Sequence, residues 1–148
     1  MACALGRSGQ RALKREGDGA TPMGRWPLRA VLYRADRVSR PRTRLPVRPI
    51  RPGDGWCDSP SDRNYNRHVS LPYPASAERL WREDRLYDII VLLGYNDRVR
   101  VRGRGSAIFM HVASPGLGPT EGCIALQLRH LRCILEKARP GTLVRVGR

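Results

Sequence analysis

The stretch Ser106-Ala-Ile-Phe-Met-His111, followed by Thr120-Glu-Gly-Cys123-Ile-Ala-Leu126, decides how this chain reads. An apolar run ending in a histidine has the length and composition of a buried strand, and a glycine-bearing turn then presents a cysteine. A strand that delivers an imidazole and a turn that delivers a thiol supply a nucleophile and its base. An ordinary thiol, with a pKa near about 8.5, is only a few per cent ionised at neutral pH, so the imidazole must take its proton and later return it to a leaving group. Cys123 is therefore the candidate nucleophile, and His111 the candidate general base and then acid. Gly122 lets the backbone turn sharply, so the N–H groups of Gly122 and Cys123 are the candidate oxyanion donors. One such donor is worth on the order of 3 kcal/mol in the transition state. A carboxylate or a backbone carbonyl would orient the histidine equally well. The plain alternative is an inert buried cysteine beside a satisfied core histidine.

Outward from this pair the chain reads as β-rich. Residues 27–33 follow a Gly-Asp-Gly-Ala-Thr-Pro turn cluster and read as a strand. Residues 86–95 form the strongest strand pattern, a continuous apolar run that predicts burial on both faces. Residues 98–102 alternate Arg and Val and are expected to form another strand, and residues 77–83 a helical turn. Leu128, Leu131, Ile134, Leu135 and Ala138 recur at three- and four-residue spacing, which predicts an amphipathic helix over 127–138, ended by Pro140-Gly141 and followed by a last strand at 142–146. Cys133 falls on its apolar side and His130 at its boundary. Six prolines break residues 35–73, yet Trp56, Tyr65 and Tyr73 punctuate the segment. It reads either as an ordered flap near the active site or as a surface excursion. Tyr87, Tyr95 and Asn96 read equally as groove-lining or as core and turn residues.

A length of 148 residues suits one domain with a single core. The formal charge is +15, and every basic residue except Lys14 and Lys137 is an arginine. Such a surface can neutralise phosphates, but the arginines run from Arg7 to Arg148 without a helical stripe, zinc-finger spacing or aromatic ribonucleoprotein pattern, so no specific nucleic acid is indicated. A solvated basic surface, or attraction to an anionic polymer, accounts for the charge as well. Cys3, Cys57, Cys123 and Cys133 form no CxxC pair, and Cys57 with His68 lacks two further ligands, so neither a metal site nor a disulfide framework is expected. No apolar run approaches the roughly 20 residues of a membrane span, and the first residues lack the apolar core of a signal peptide.

The His111 to Gly122-Cys123 pattern, with Lys14-Arg-Glu-Gly-Asp-Gly-Ala-Thr-Pro-Met-Gly-Arg-Trp26 upstream, resembles the L,D-transpeptidase catalytic-domain (YkuD-like) family. In that family a glycine-rich stretch ending in Thr-Pro-x-Gly precedes a signature of His, a loop, Ser or Thr, His, Gly, Cys, a hydrophobic residue, and Asn or Arg. Thr120, Gly122, Cys123 and Ile124 match; Glu121 stands where the second histidine is usual and Ala125 where Asn or Arg is usual. The loop between His111 and Cys123 is also shorter than in commoner members, which marks a divergent branch. The resemblance implies a mainly β, sandwich-like catalytic domain with one packed helix near the C-terminus. That domain is expected to span 1–148, to lack some N-terminal strands, and to carry 35–76 as a Pro/Arg-rich insert or flap.

The implied reaction is peptidyl transfer. Cys123 forms a thioester with a peptidoglycan tetrapeptide stem, D-alanine leaves, and an acceptor amine resolves the thioester as a cross-link. Resolution by water would make the same site a thiol carboxypeptidase, and a non-catalytic nucleic-acid-binding module is the reading from another class. Thr120 and Glu121 are candidate substrate contacts, although Glu121 reads equally as a solvated turn carboxylate. No cofactor is implied. The partners implied are stem peptides, with the oligomeric state open. The family chemistry implies the periplasm or cell envelope; the missing export signal leaves the cytoplasm open.

Overall fold

The computed structural model describes residues 1–147. In chain order its strands are β1 (Cys3–Ala4), β2 (Gln10–Arg11), β3 (Thr21–Pro22), β4 (Gly24–Tyr33), β5 (Val47–Pro49), β6 (Asp54–Cys57), β7 (His68–Ser70), β8 (Ala77–Arg79), β9 (Ile89–Leu93), β10 (Phe109–Val112) and β11 (Ile124–Leu126); helix α1 (Leu128–Lys137) and β12 (Leu143–Val146) follow. The main sheet runs β1-β11-β10-β9-β4-β12, with β5 added to β4. A three-stranded sheet, β7-β6-β8, and the β2-β3 pair complete the ladders. The architecture is mainly β with one short helix among the described residues.

Strand β9 sits between β10 and β4, antiparallel to both. Its successive side chains feed two cores, as the period of two in a strand requires. Ile89, Val91 and Leu93 join Val31, Met110, Ile124 and Leu126 under the helix residues Leu131 and Leu135 and the C-cap Ala138. Ile90 joins Leu32, Leu80, Tyr87, Phe109 and Cys123 on the opposite face. The apolar run is therefore buried on both sides. The helix has no side-chain N-cap and no acidic residue in its first turn, so its apolar stripe against this core holds it in place. Cys133 lies half-buried beside that stripe rather than in it.

Two expected elements differ from the structure. Residues 77–79 form β8 instead of a helical turn, because Ala77, Glu78 and Arg79 pair with Cys57, Trp56 and Gly55 of β6 and the ladder overrides local helical preference. Residues 98–102 are loop: Val99 has a φ of 58° and is 89% exposed, and Val101 is also exposed, so the alternation has no apolar face to bury. Asn96 fixes this loop instead, accepting the Val101 N–H at 2.8 Å and donating to the carbonyls of Val101 and Gly105.

The proline-broken segment is tied to the body by its aromatics. Trp56 donates to Asn66 Oδ1 at 2.8 Å and meets Phe109 edge-on at 5.2 Å between centroids. Tyr65 is buried, accepts the Gly105 N–H at 3.0 Å and donates to Glu16. Tyr73 instead closes the segment on itself, donating to Asp62 at 2.8 Å and accepting from Asn64 Nδ2 at 2.8 Å.

Candidate active site

Strand β10 places His111 opposite Ala125 of the parallel strand β11. Two residues earlier stand Phe109, the first residue of β10, and Cys123, immediately before β11, linked by the Phe109 N–H pointing at Cys123 Sγ, 3.4 Å away. His111 and Cys123 thus share one face of adjacent strands, offset by two residues. Both line one cavity of about 350 Å³, together with Lys14, Glu16, Asp58, Glu78, Arg82 and Tyr87 among others.

The imidazole is buried and its tautomer is determined by a single contact. Nδ1 lies 2.8 Å from the Val112 carbonyl, which can only accept, so Nδ1 carries the proton and Nε2 keeps its lone pair. A backbone carbonyl is therefore what orients this histidine. Tyr87 packs edge-on against the ring at 5.3 Å between centroids. Burial pushes the His111 pKa below its ordinary value; the Val112 carbonyl opposes that shift and the charge of Arg82 adds to it.

The thiol is buried too, and its S–H donates to the Ala107 carbonyl at 3.2 Å. Burial pushes its pKa up to about 12; the charge of Glu78 adds to the rise, and the Phe109 N–H and Lys14 act against it. A raised thiol beside a lowered imidazole makes the resting pair neutral. The strand begins only at Phe109, because Ala107 has a φ of 52°, gives its N–H to Asn66 Oδ1 at 3.1 Å and offers its carbonyl to the thiol.

The turn before Cys123 is held by Thr120. Its hydroxyl donates to the Cys123 carbonyl at 2.7 Å and accepts the Gly122 N–H at 3.1 Å. Gly122 has a φ of 134°, and a Cβ there would stand 2.8 Å from the Ala20 carbonyl oxygen, so the turn needs glycine. The Cys123 N–H has no hydrogen-bond partner among the described residues. Glu121 points outward: its side chain is 78% exposed and pairs with Arg7 at 2.9 Å. Cys57 is buried in β6, and His68 pairs with Asp54 at 2.7 Å. No group of three metal-ligating side chains is found among the described residues.

The model of the YkuD L,D-transpeptidase catalytic domain matches residues 1–146. The chain belongs to that family. Searches of curated proteins and of solved structures find no match. Against the L,D-transpeptidase signature, the two unusual positions occupy different settings: Glu121 faces solvent, and Ala125 is fully buried opposite His111. No helix among the described residues is long and apolar enough to cross a membrane.

Several pocket residues lie outside the motif and escape a reading of it. Glu78 accepts the Tyr87 hydroxyl, and Glu16 accepts Ser106 Oγ at 2.9 Å as well as Tyr65. Burial raises the Glu78 pKa, opposed by the Tyr87 hydroxyl and Arg82. Asp58 Oδ1 is buried with no hydrogen-bond partner. None of these three carboxylates has an ion-pair partner within 4 Å among the described residues. Of Tyr87, Tyr95 and Asn96, only Tyr87 lines the cavity. Lys14 carried a signal in the sequence, as one of two lysines in an arginine-rich chain.

Proposed function

We propose that this chain is a cysteine peptidyltransferase that cross-links peptidoglycan stems. Cys123 Sγ attacks the carbonyl of the third residue of a tetrapeptide stem while His111 Nε2 takes the thiol proton. The C–N bond to the terminal D-alanine then breaks, and His111 returns the proton to the departing amine. Turning the S–H about the Cβ–Sγ bond, away from the Ala107 carbonyl, redirects it toward His111. The Cys123 N–H, without a partner among the described residues, donates to the oxyanion. An acceptor amine resolves the thioester.

The observation that carries this reading is the pairing of Cys123 and His111 on one face of β10 and β11, with Nε2 left as the accepting nitrogen by the Val112 carbonyl. Resolution by an amine rather than water is supported by Glu16, Asp58 and Glu78, three carboxylates on the cavity wall without ion-pair partners in a chain of charge +15. Half-buried carboxylates without a cationic partner attract one, and an amine-bearing stem presents it. A substrate of this kind belongs to the cell envelope.

The test is release of D-alanine from a tetrapeptide stem, with and without a second stem as acceptor. Wild-type protein is expected to release D-alanine and form the cross-linked dimer, while Cys123→Ala releases none. Turnover unchanged in Cys123→Ala would overturn the assignment.

A further inference from the structure

We propose that the Lys14 ammonium is a catalytic group that contacts the oxyanion formed at Cys123. The inference rests on the acyl-transfer reading above.

Lys14 lies in the loop before β3 and is only 3% exposed, a rare setting for an ammonium. It lines the same cavity as Cys123 and His111. An ammonium carries three N–H bonds, and the structure accounts for two of them. One goes to Asp18 Oδ1 at 2.7 Å and one to the Arg15 carbonyl at 3.3 Å. Asp18 is itself fixed, accepting the N–H groups of Arg15 at 2.8 Å and Ala20 at 2.9 Å. The cation is thus held by a rigid loop rather than by a mobile surface partner.

Its position is set against the turn. A Cβ on Gly122 would lie 3.3 Å from Lys14 Nζ, and a Cβ on Gly105 2.8 Å from Lys14 Cε. Two glycines therefore make room for this side chain, one of them immediately before the nucleophile. Of the two backbone donors at the turn, Gly122 N–H is occupied by Thr120 Oγ1, which leaves Cys123 N–H alone. Acyl transfer places a full negative charge at that point, and a preorganised donor in a water-poor site stabilises it strongly. The third Lys14 N–H, next to Gly122, supplies the missing donor together with a positive charge. Glu121 does not compete for this place, because it faces solvent and Arg7.

Two reactions of the same thiol separate this role from a purely structural one. Alkylation by iodoacetamide reads the thiolate alone and passes through no oxyanion, whereas acylation by a tetrapeptide stem requires one. Lys14→Met is expected to lower the ratio of acylation to alkylation rates, measured at the same pH, on the order of 100-fold. A ratio equal to that of the wild type would overturn the proposal, whether both rates fall together or neither moves. Because chain folding can suffer from loss of the Asp18 partner, a second measurement uses wild-type protein. Lys14 and Lys137 are the only lysines, so selective 15N labelling of lysine side chains gives one ammonium signal in the site and one reference. A peptide aldehyde that adds to Cys123 as a hemithioacetal is expected to shift the Lys14 signal and leave Lys137 in place. An adduct without a shift at Lys14 would overturn the proposal while sparing the enzyme reading. Alkylation of Cys123 without acylation by any stem would overturn both.

Discussion

The Thr120 hydroxyl clamps the residue it precedes by three, donating to the Cys123 carbonyl at 2.7 Å while accepting the Gly122 N–H at 3.1 Å. Both ends of the nucleophile turn are therefore held by one oxygen. Thr120→Val keeps the shape and removes both bonds, leaving a buried N–H and a carbonyl without partners. A loss of about 1–3 kcal/mol in stability is expected from thermal unfolding, with acylation slowed at least about 10-fold. Unchanged acylation in a folded Thr120→Val protein would show that the clamp does not position the thiol.

The neutral resting pair has a direct pH signature. With the Cys123 pKa pushed up to about 12, the thiolate fraction keeps increasing with pH across the alkaline range. Alkylation of Cys123 by iodoacetamide is expected to accelerate steadily from pH 7 to beyond pH 10. A plateau below pH 8 would mean a preformed thiolate–imidazolium pair, contrary to the buried, S–H-donating geometry.

Acid stability reports the Lys14 loop. Burial works against ionisation of Asp18, yet the Lys14 hydrogen bond, the Arg15 and Ala20 N–H groups and the Lys14 charge bring its pKa down to about 2. A carboxylate depressed in the folded state stabilises above its unfolded value of 3.8 and loses that contribution as the pH falls toward 2. The loss amounts to about 2 kcal/mol. Denaturant unfolding of wild type between pH 4 and pH 2 is expected to show it, and Asp18→Asn to be less stable at pH 7 but flatter across that window.

Glu121 adjoins the nucleophile in sequence and lines the cavity with its side chain largely in solvent. Its exposed pair with Arg7 is of the kind worth about 0–1 kcal/mol. Glu121→Gln is expected to leave acylation within about twofold of wild type and the melting temperature nearly unchanged. A tenfold fall in acylation would instead mark this carboxylate as a substrate contact.

Much of this arrangement was legible in the chain. The strand at 89–93, the helix stripe of Leu131 and Leu135 and the last strand follow from periodicity, because each buries an apolar face that the pattern already displays. The motif residues His111 and Cys123 also stood out, since their chemistry needs only two residue types near one turn. What periodicity cannot reveal is pairing across long sequence separation. Residues 77–79 became a strand only because β6 lies beside them, and residues 98–102 lost theirs because nothing covers Val99. Lys14 and Glu78 come to the site from segments 109 and 45 positions away from Cys123; Lys14 opens the upstream glycine-rich stretch, but its place beside the thiol is set by loop geometry, and that of Glu78 by an edge strand with no local pattern. The Val112 carbonyl was equally hidden, because every residue offers one.

The most direct test of the central claim is intact-mass spectrometry of the protein mixed with a peptidoglycan tetrapeptide stem, the adduct being mapped by proteolysis. The expected result is a mass increase equal to the stem less D-alanine, located on Cys123 and absent from Cys123→Ala and His111→Ala proteins that remain folded. A folded wild-type protein that gains no mass, or an adduct that persists in Cys123→Ala, would contradict it.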